Sequence, residues 1–541
     1  MKQPRIRFIN IMELLSVTMI PMALTFYLMQ PIGIGWDEPS YILSGIRYLE
    51  WFRNLSLESF SPVHINQYWN INHEHPPLAK LGFGLFHVLF NNQLGLLDSA
   101  RFFNCFLYGL FNLGLFIFLD SLYSKNTARL TILILQCFPR FLTYTHTAML
   151  DFPVAFLWLA MTCTYFMTTK NAKYFIHSCL FYGALHLTKF TGAMAVFPAF
   201  IWGLFYEPLK TLKKIFLLLL FGFMLFMALW PWFYHDTTQK LNNYFLNKYA
   251  RVSLFQKKFH PENAYEKLPS GIPVYYLGRI YQKDHSSIPW HYTPVLFLTS
   301  LPSGILFFFT IGLLSGIHNR KKDPFMFLCV VNVICLAVVM MLPVFPKYAG
   351  IRFLLPLYPF AAILSTTGMK TCYSWSASPA KRFALFLLAV FFACNFLPVV
   401  KYRDSLSNYY NAAAGGIKGA VKTGLPINDA DLSFSPEIIQ YINDHLRENG
   451  KITLTPTSPY VRQLYQDLAL FRPDIRIVET PDEADWIILF YAREFFDETL
   501  RDLFRESTPV YKKEVQGVTL CQIYERTVVR TNKDIPSGKE K

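Results

Sequence analysis

Gly35-Trp36-Asp37-Glu38-Pro39-Ser40-Tyr41 opens a polar stretch that His73-Glu74-His75-Pro76-Pro77-Leu78-Ala79-Lys80 closes, with long apolar regions on both sides. Charge beside a bilayer is expensive and usually functional. Asp37-Glu38 follows directly on the first apolar run, and two readings of Asp37 stand side by side. It is a base for an acceptor hydroxyl, or a ligand of a metal or sugar. It is also a helix N-cap, with Pro39 in the first turn. Pro76-Pro77 starts a short helix over 77–91 rigidly, with Lys80 one turn in. Such a helix at a membrane surface offers N–H donors and a cation to a lipid phosphate, although Lys80 alone could equally snorkel to headgroups. His73 and His75 flank Glu74 as a metal cluster would require, yet no third clear ligand accompanies them.

Working outward, the chain of 541 residues is 53% hydrophobic and 17% aromatic, with 52 Phe and only 16% charged residues. That composition excludes an ordinary soluble enzyme, and repeated apolar runs of about 20 residues indicate a multi-pass membrane protein. The formal charge of +15 does not point to nucleic acid, because the Lys and Arg sit in short loops between apolar runs, as the positive-inside rule requires. Most of the nine Cys lie inside apolar runs, Cys372 falls in a short loop between two runs, and no disulfide or zinc framework is visible. The first apolar run lacks an Ala-x-Ala cleavage site and reads as an uncleaved span.

Spans are expected at about 8–31, 101–121, 128–147, 152–169, 174–188, 190–206, 213–233, 291–316, 324–344, 352–370 and 383–400. The segment 77–91 is short for a span and reads as interfacial or re-entrant. With 77–91 left out, the basic loops around Lys125/Arg129, Lys170/Lys173, Lys210/Lys213/Lys214, Arg320/Lys321/Lys322 and Lys370/Lys381/Arg382 all fall on the cytoplasmic side. Charge thus predicts about 11 spans in residues 1–400, with the 32–100 loop, the 234–290 loop and the C-terminus outside. After a linker over 401–424, residues 425–530 read as a small α/β domain. Ser435-Pro436-Glu437 starts a helix and Gly450 stops it. Lys451–Thr455, Ile475–Glu479, Ala484–Tyr491 and Val518–Tyr524 are strands, and Phe495–Arg505 is a helix. Residues 531–541 read as a disordered tail.

The same topology gathers Asp151, in His146-Thr147-Ala148-Met149-Leu150-Asp151-Phe152-Pro153, with three cations at outer span ends, Arg101, Lys189 and Arg352. Asp151 either caps the next helix or faces the cavity of Asp37. The cations either snorkel or converge on a phosphate as stabilisers of a leaving anion.

These residues, in this order, resemble the GT-C fold glycosyltransferases, in the branch of the protein O-mannosyltransferases and the lipid A aminoarabinose transferase. The resemblance rests on Asp37-Glu38 after the first span, His75-Pro76-Pro77-Leu78-Ala79-Lys80, Arg101 opening the next span, Asp151-Phe152-Pro153, Thr188-Lys189, Ile288-Pro289-Trp290-His291-Tyr292 and Lys347-Tyr348-Ala349-Gly350-Ile351-Arg352. Tyr409-Tyr410-Asn411 with Gly415-Gly416 extends it to about residue 420. It departs from the mannosyltransferases at Ala79, where they carry Gly, and in lacking a β-trefoil insertion in the 234–290 loop. The resemblance implies an inverting transfer of one sugar from a polyprenyl- or dolichyl-phosphate donor to a lipid, glycan or protein acceptor on the extracytoplasmic face. In that scheme Asp37 is the base with Glu38 beside it. Lys80, Arg101, Lys189 and Arg352 hold the donor phosphate, while Glu74, His75, Asp151 and His260 orient sugar or acceptor. Glu74 and Asp151 are also where a divalent cation would sit in some relatives; no other cofactor is implied. Two other classes compete. A transporter or flippase predicts mid-membrane charge and repeat symmetry, and neither is seen. A non-catalytic scaffold gives no reason for Asp37, Glu74 and Lys189 to share a side.

Overall fold

The computed structural model describes residues 10–30, 32–250, 272–281, 287–343, 345, 347–348, 350–375, 381–427 and 429–526. His260 and the 531–541 tail lie outside the described residues. The chain is a multi-pass helical membrane protein that ends in a small β-sheet region. Four described helices are long and apolar enough to cross a bilayer alone: Ile11–Met29, Leu78–Leu122, Pro208–Ala228 and Pro324–Met341. Other expected spans are broken into shorter pieces, each with a local cause. Pro139 ends Lys125–Leu135 and starts Pro139–Thr145. Phe190–Ala195 is a 3-10 turn before Val196–Tyr206. Tyr292–Ser300 and Ser303–His318 meet at 118°, because Leu301, which precedes Pro302, is extended. Cys372, expected in a loop, falls instead within the Leu357–Trp375 helix.

The first loop ends in a helical arm set apart from the next span, as expected of 77–91. Residues 78–122 form one helical segment broken at Gly95, whose φ of 76° only glycine adopts readily. The two arms fold onto each other: Phe86 and Phe103 have ring centroids 5.3 Å apart, and Phe90 and Phe102 5.2 Å. In a straight helix residues 17 apart would be separated by about 25 Å. The first arm also lies tight against the Glu38–Arg53 helix at a glycine pair. A Cβ on Gly45 would sit 1.9 Å from the Lys80 carbonyl oxygen, and one on Gly84 would sit 2.4 Å from that of Gly45. Small residues at such crossings let backbones touch, which brings the Asp37 end of one helix beside the Lys80 end of the other.

The segment after the last helix is tied back into the bundle. Pro302 has no N–H for the Leu298 carbonyl; Asn411 Nδ2 supplies the missing donor at 2.9 Å and also reaches Leu301 O at 2.8 Å. Arg140 donates to the Tyr409 carbonyl at 2.7 Å and stacks on the Tyr410 ring. Beyond it, five strands run in the spatial order Arg476–Ile477, Lys451–Thr455, Trp486–Phe490, Val518–Glu525, Tyr511–Val515, the first three parallel and the last two antiparallel to their neighbours. The central strand Trp486–Phe490 is buried along its whole length, as covering on both faces requires. Tyr511–Val515 was not expected as a strand: Lys512, Lys513 and Glu514 make it polar, a common device at a sheet edge.

Candidate active site

Asp37 stands at the N-terminus of the Glu38–Arg53 helix, but its side chain makes no capping bond. Its Oδ2 instead accepts from Arg352 Nη2 at 2.7 Å. Arg352 Nε donates to Asp151 Oδ2 at 3.1 Å, and Lys189 Nζ donates to Asp151 Oδ1 at 2.6 Å. Four residues from four separate segments thus form one chain of charge: Asp37–Arg352–Asp151–Lys189. Asp151 is buried with both oxygens occupied, so it serves to hold the two cations. The Asp37 side chain is 33% exposed, and its Oδ1 has no hydrogen bond among the described residues. Arg352 Nη1 is likewise uncommitted among the described residues. The cluster therefore leaves one carboxylate oxygen and one guanidinium nitrogen without a hydrogen bond among the described residues.

Glu38 points the other way. Its side chain is fully buried against Arg101, which is 1% exposed. Arg101 donates to Oε1 at 2.8 Å and to Oε2 at 2.6 Å, while the backbone N–H groups of Gly35 and Ala148 donate at 2.7 and 2.6 Å. Arg101 also donates to the Gly33 carbonyl at 2.5 Å. The guanidinium expected at a donor phosphate is thus folded onto Glu38, and the pair shapes the loop that carries Asp37. Lys80 is buried too. Its ammonium donates to the carbonyls of Asn72 at 2.6 Å and His75 at 2.7 Å, and lies over the Tyr41 and Tyr48 rings. The His75 ring packs edge-on against Tyr41. Glu74 is exposed on the same turn, within electrostatic reach of the Tyr41 hydroxyl. Tyr41 therefore links the His-Pro-Pro turn to Asp37. No group of three metal-ligating side chains is found among the described residues.

Sequence reasoning missed four residues here. Tyr41 could have been found, since it lies one helical turn after Asp37. Tyr144, Asp429 and Tyr465 could not, because they come from a short buried helix and from the C-terminal part. Tyr144 donates its hydroxyl proton to Asp429 Oδ2 at 2.5 Å. Burial holds the Asp429 carboxyl above the usual carboxylate range, against the opposing pull of Arg352 and Tyr144. Tyr465 accepts the Ile34 N–H at 2.9 Å, Leu432 O accepts the Gly33 N–H at 2.9 Å, and Trp36 stacks on Phe495. The C-terminal part thus rests directly on the loop that precedes Asp37.

This arrangement can be set beside known proteins. Residues 74–233 match the family model of dolichyl-phosphate-mannose-protein mannosyltransferases. Among curated proteins, none matches the chain. The fold is shared with ArnT from Cupriavidus metallidurans in its apo state, with a TM-score of 0.52 at 14% identity over 94% of this chain and 97% of that one. The same protein bound to undecaprenyl phosphate gives a TM-score of 0.53 at 13% identity over 95% and 98%. The matched segment carries the His-Pro-Pro turn, Arg101, Asp151 and Lys189, and the shared fold runs along nearly the whole chain. The comparisons thus indicate a membrane glycosyltransferase that shares the fold of ArnT and matches the mannosyltransferase family over residues 74–233.

Proposed function

We propose that this enzyme moves a single sugar from a polyprenyl-phosphate donor to a hydroxyl of a lipid, glycan or protein acceptor, on the extracytoplasmic face and with inversion. The observation that carries the reading is the Asp37–Arg352–Asp151–Lys189 chain, with its open carboxylate oxygen and its open guanidinium nitrogen. ArnT, whose fold this chain shares, binds undecaprenyl phosphate, and Arg352 and Lys189 are the cations that would receive such a phosphate here. The acceptor oxygen attacks the anomeric carbon as the bond from that carbon to the phosphate oxygen breaks. The phosphate leaves with the electron pair toward Arg352, and the acceptor proton passes to Asp37. Arg and Lys stabilise the charge that develops on the leaving group, and the carboxylate supplies general-base catalysis. Lys80 and His75 frame the site from the His-Pro-Pro turn, and Glu74 is the exposed carboxylate on that turn.

In this reading residues 1–400 span the membrane about eleven times and carry the chemistry. Residues 401–424 connect, and 425–530 cover the site from outside. A lipid-linked donor is reached from the bilayer plane, so the reacting centre belongs at the membrane boundary. The test is undecaprenyl-phosphate binding to the purified protein, together with mass spectrometry of glycolipids, glycans and glycoproteins in a deletion strain. Asp37→Asn keeps binding and loses transfer by about 10²–10⁴-fold; Arg352→Gln loses binding. Full transfer by Asp37→Asn would sink the assignment.

A further inference from the structure

In the C-terminal sheet, Lys451–Thr455 lies between Arg476–Ile477 and Trp486–Phe490 and runs parallel to both. The chain leaves Lys451–Thr455 through the helix Pro459–Asp467 toward Arg476–Ile477 on one side. It leaves Trp486–Phe490 through the helix Glu498–Glu506 toward the antiparallel strands on the other. The loops at the carboxyl ends of these two neighbouring strands therefore part, and in open α/β sheets the crevice between such loops is where ligands bind. Both loops touch Trp36, the residue before Asp37. Ser458, after Lys451–Thr455, donates its hydroxyl to the Trp36 carbonyl at 3.4 Å. Phe495, after Trp486–Phe490, stacks on the Trp36 ring, with centroids 5.6 Å apart and planes at 19°. The carboxyl end of the sheet is thus turned to the proposed base.

Docking of the C-terminal part leaves two features of this crevice unexplained. Trp36 and Phe495 stack on each other, yet stay 38% and 37% exposed, where rings that only join two parts of a protein bury their area. Thr457, next to Ser458, is 8% exposed, and its hydroxyl has no hydrogen bond among the described residues. A buried hydroxyl without a partner is costly. A ligand with an apolar face for the rings and a polar group for Thr457 accounts for both. A pyranose ring is such a ligand, with a face of C–H groups and an edge of hydroxyls. A peptide held by strand addition needs a free strand edge, and Lys451–Thr455 and Trp486–Phe490 are paired on both sides. An acyl chain gives the Thr457 hydroxyl no partner.

We infer that the crevice at the carboxyl ends of Lys451–Thr455 and Trp486–Phe490 binds a sugar ring of the acceptor, stacked on Trp36 and Phe495 and hydrogen-bonded to Thr457. The acceptor is thereby a glycan or a glycolipid, and its hydroxyl is delivered beside Asp37, the chain neighbour of Trp36. The inference deepens the transfer reading above, on which the naming of this ligand as acceptor rests.

The experiment uses the full-length protein in lipid nanodiscs, with the methyl glycosides of glucose, mannose and N-acetylglucosamine as probes and saturation-transfer NMR of their ring protons as the readout. At least one glycoside binds the wild type. Phe495→Ala, at an exposed side chain, weakens that binding by about three- to tenfold and leaves undecaprenyl-phosphate binding unchanged. Thr457→Val separates a ligand role from a structural one. Loss of a buried hydroxyl that has no partner leaves the melt unchanged or raises it, whereas a bound sugar loses a hydrogen bond and binds about three- to tenfold more weakly. Binding of none of the three glycosides overturns the inference. Glycoside binding of wild-type strength in either variant overturns it too, because the sugar then sits elsewhere, as in the donor's place. Displacement of the glycoside by a peptide of Ser and Thr residues overturns it in favour of a protein acceptor. Failure of the wild type to bind undecaprenyl phosphate would instead refute the donor reading, and glycoside binding that weakens in both variants would still uphold the sugar crevice.

Discussion

Glu38→Gln replaces a carboxylate by an amide of nearly the same shape at a fully buried position. The carboxylate accepts four hydrogen bonds, two from Arg101 and one each from the Gly35 and Ala148 N–H groups. An amide has one accepting oxygen, so two of the four donors face an NH₂ group whichever way it is turned. The Arg101 guanidinium, 1% exposed, is left without its counter-charge. Removing one partner of a buried ion pair costs about 3–5 kcal/mol, against about 0–1 kcal/mol for an exposed pair. The exposed Arg47–Glu50 pair is thus an internal control: Glu50→Gln leaves the melt unchanged. Since a fold is worth only about 5–15 kcal/mol in total, Glu38→Gln should melt several degrees early and lose transfer with the loop that carries Asp37. Six of the nine cysteines are buried, so a thiol-reactive dye reports the melt of the detergent-solubilised protein. Removing both charges, in Glu38→Gln with Arg101→Met, recovers part of the loss, with a coupling of about 2 kcal/mol or more. A Glu38→Gln melt within about one degree of wild type, or a double variant as poor as the sum of the singles, would refute the buried-pair argument.

Gly45→Ala drives a Cβ into the Lys80 carbonyl and should destabilise by about 1–3 kcal/mol. Gly114→Ala, where a Cβ meets nothing within 4 Å, should be neutral or stabilising by up to about 1 kcal/mol; the same melt separates them. Burial and the neighbouring Asp429 hold the Asp431 carboxyl well above the usual carboxylate range. The folded state therefore keeps a proton that the unfolded state releases, and stability falls as pH rises above about 4. Asp431→Asn should raise the melting temperature at pH 7 and show no gain below about pH 4; an equal gain at both pH values would contradict this. A cysteine at Leu57, which is 96% exposed, should react with an impermeant thiol reagent added from the extracytoplasmic side, and labelling from the cytoplasm alone would overturn the orientation.

How much was legible follows from the range of each signal. Apolar runs and loop charge are local, and they suffice for a multi-pass helical protein. Strand composition is local too, so four of the five C-terminal strands lie where their apolar residues place them, whereas the charged edge strand Tyr511–Val515 hides as a loop. Helix breaks were harder. Pro302 and Gly95 are visible, but whether a break bends the chain by 118° or folds it back on itself depends on partners far along the sequence, such as Asn411. Residues that meet at the site were readable where they stand at span ends, as Asp151, Lys189 and Arg352 do. Which of them pair was not readable, nor was the arrival of Asp429 and Tyr465 from the C-terminal part, because those contacts are set by tertiary packing over hundreds of residues.

The adjacent acids Asp37 and Glu38 show how position along a helix start divides two tasks. Consecutive residues there differ by about 100° in direction. Glu38 turns into the protein, meets Arg101 and two backbone N–H groups, and has all four hydrogen-bond positions filled. Asp37 stays 33% exposed, meets one guanidinium, and keeps one oxygen without a hydrogen bond among the described residues. A base must exchange its partner for a proton during each turnover, which a carboxylate with four buried bonds cannot do at low cost. Hydrogen-bond occupancy therefore favours Asp37 over Glu38 as the proposed base. It makes the two variants separable: Asp37→Asn should slow transfer with the melt unchanged, and Glu38→Gln should lower the melt before any rate is compared. The opposite pattern would move the base to Glu38 and require Arg101 to leave its buried position on donor binding.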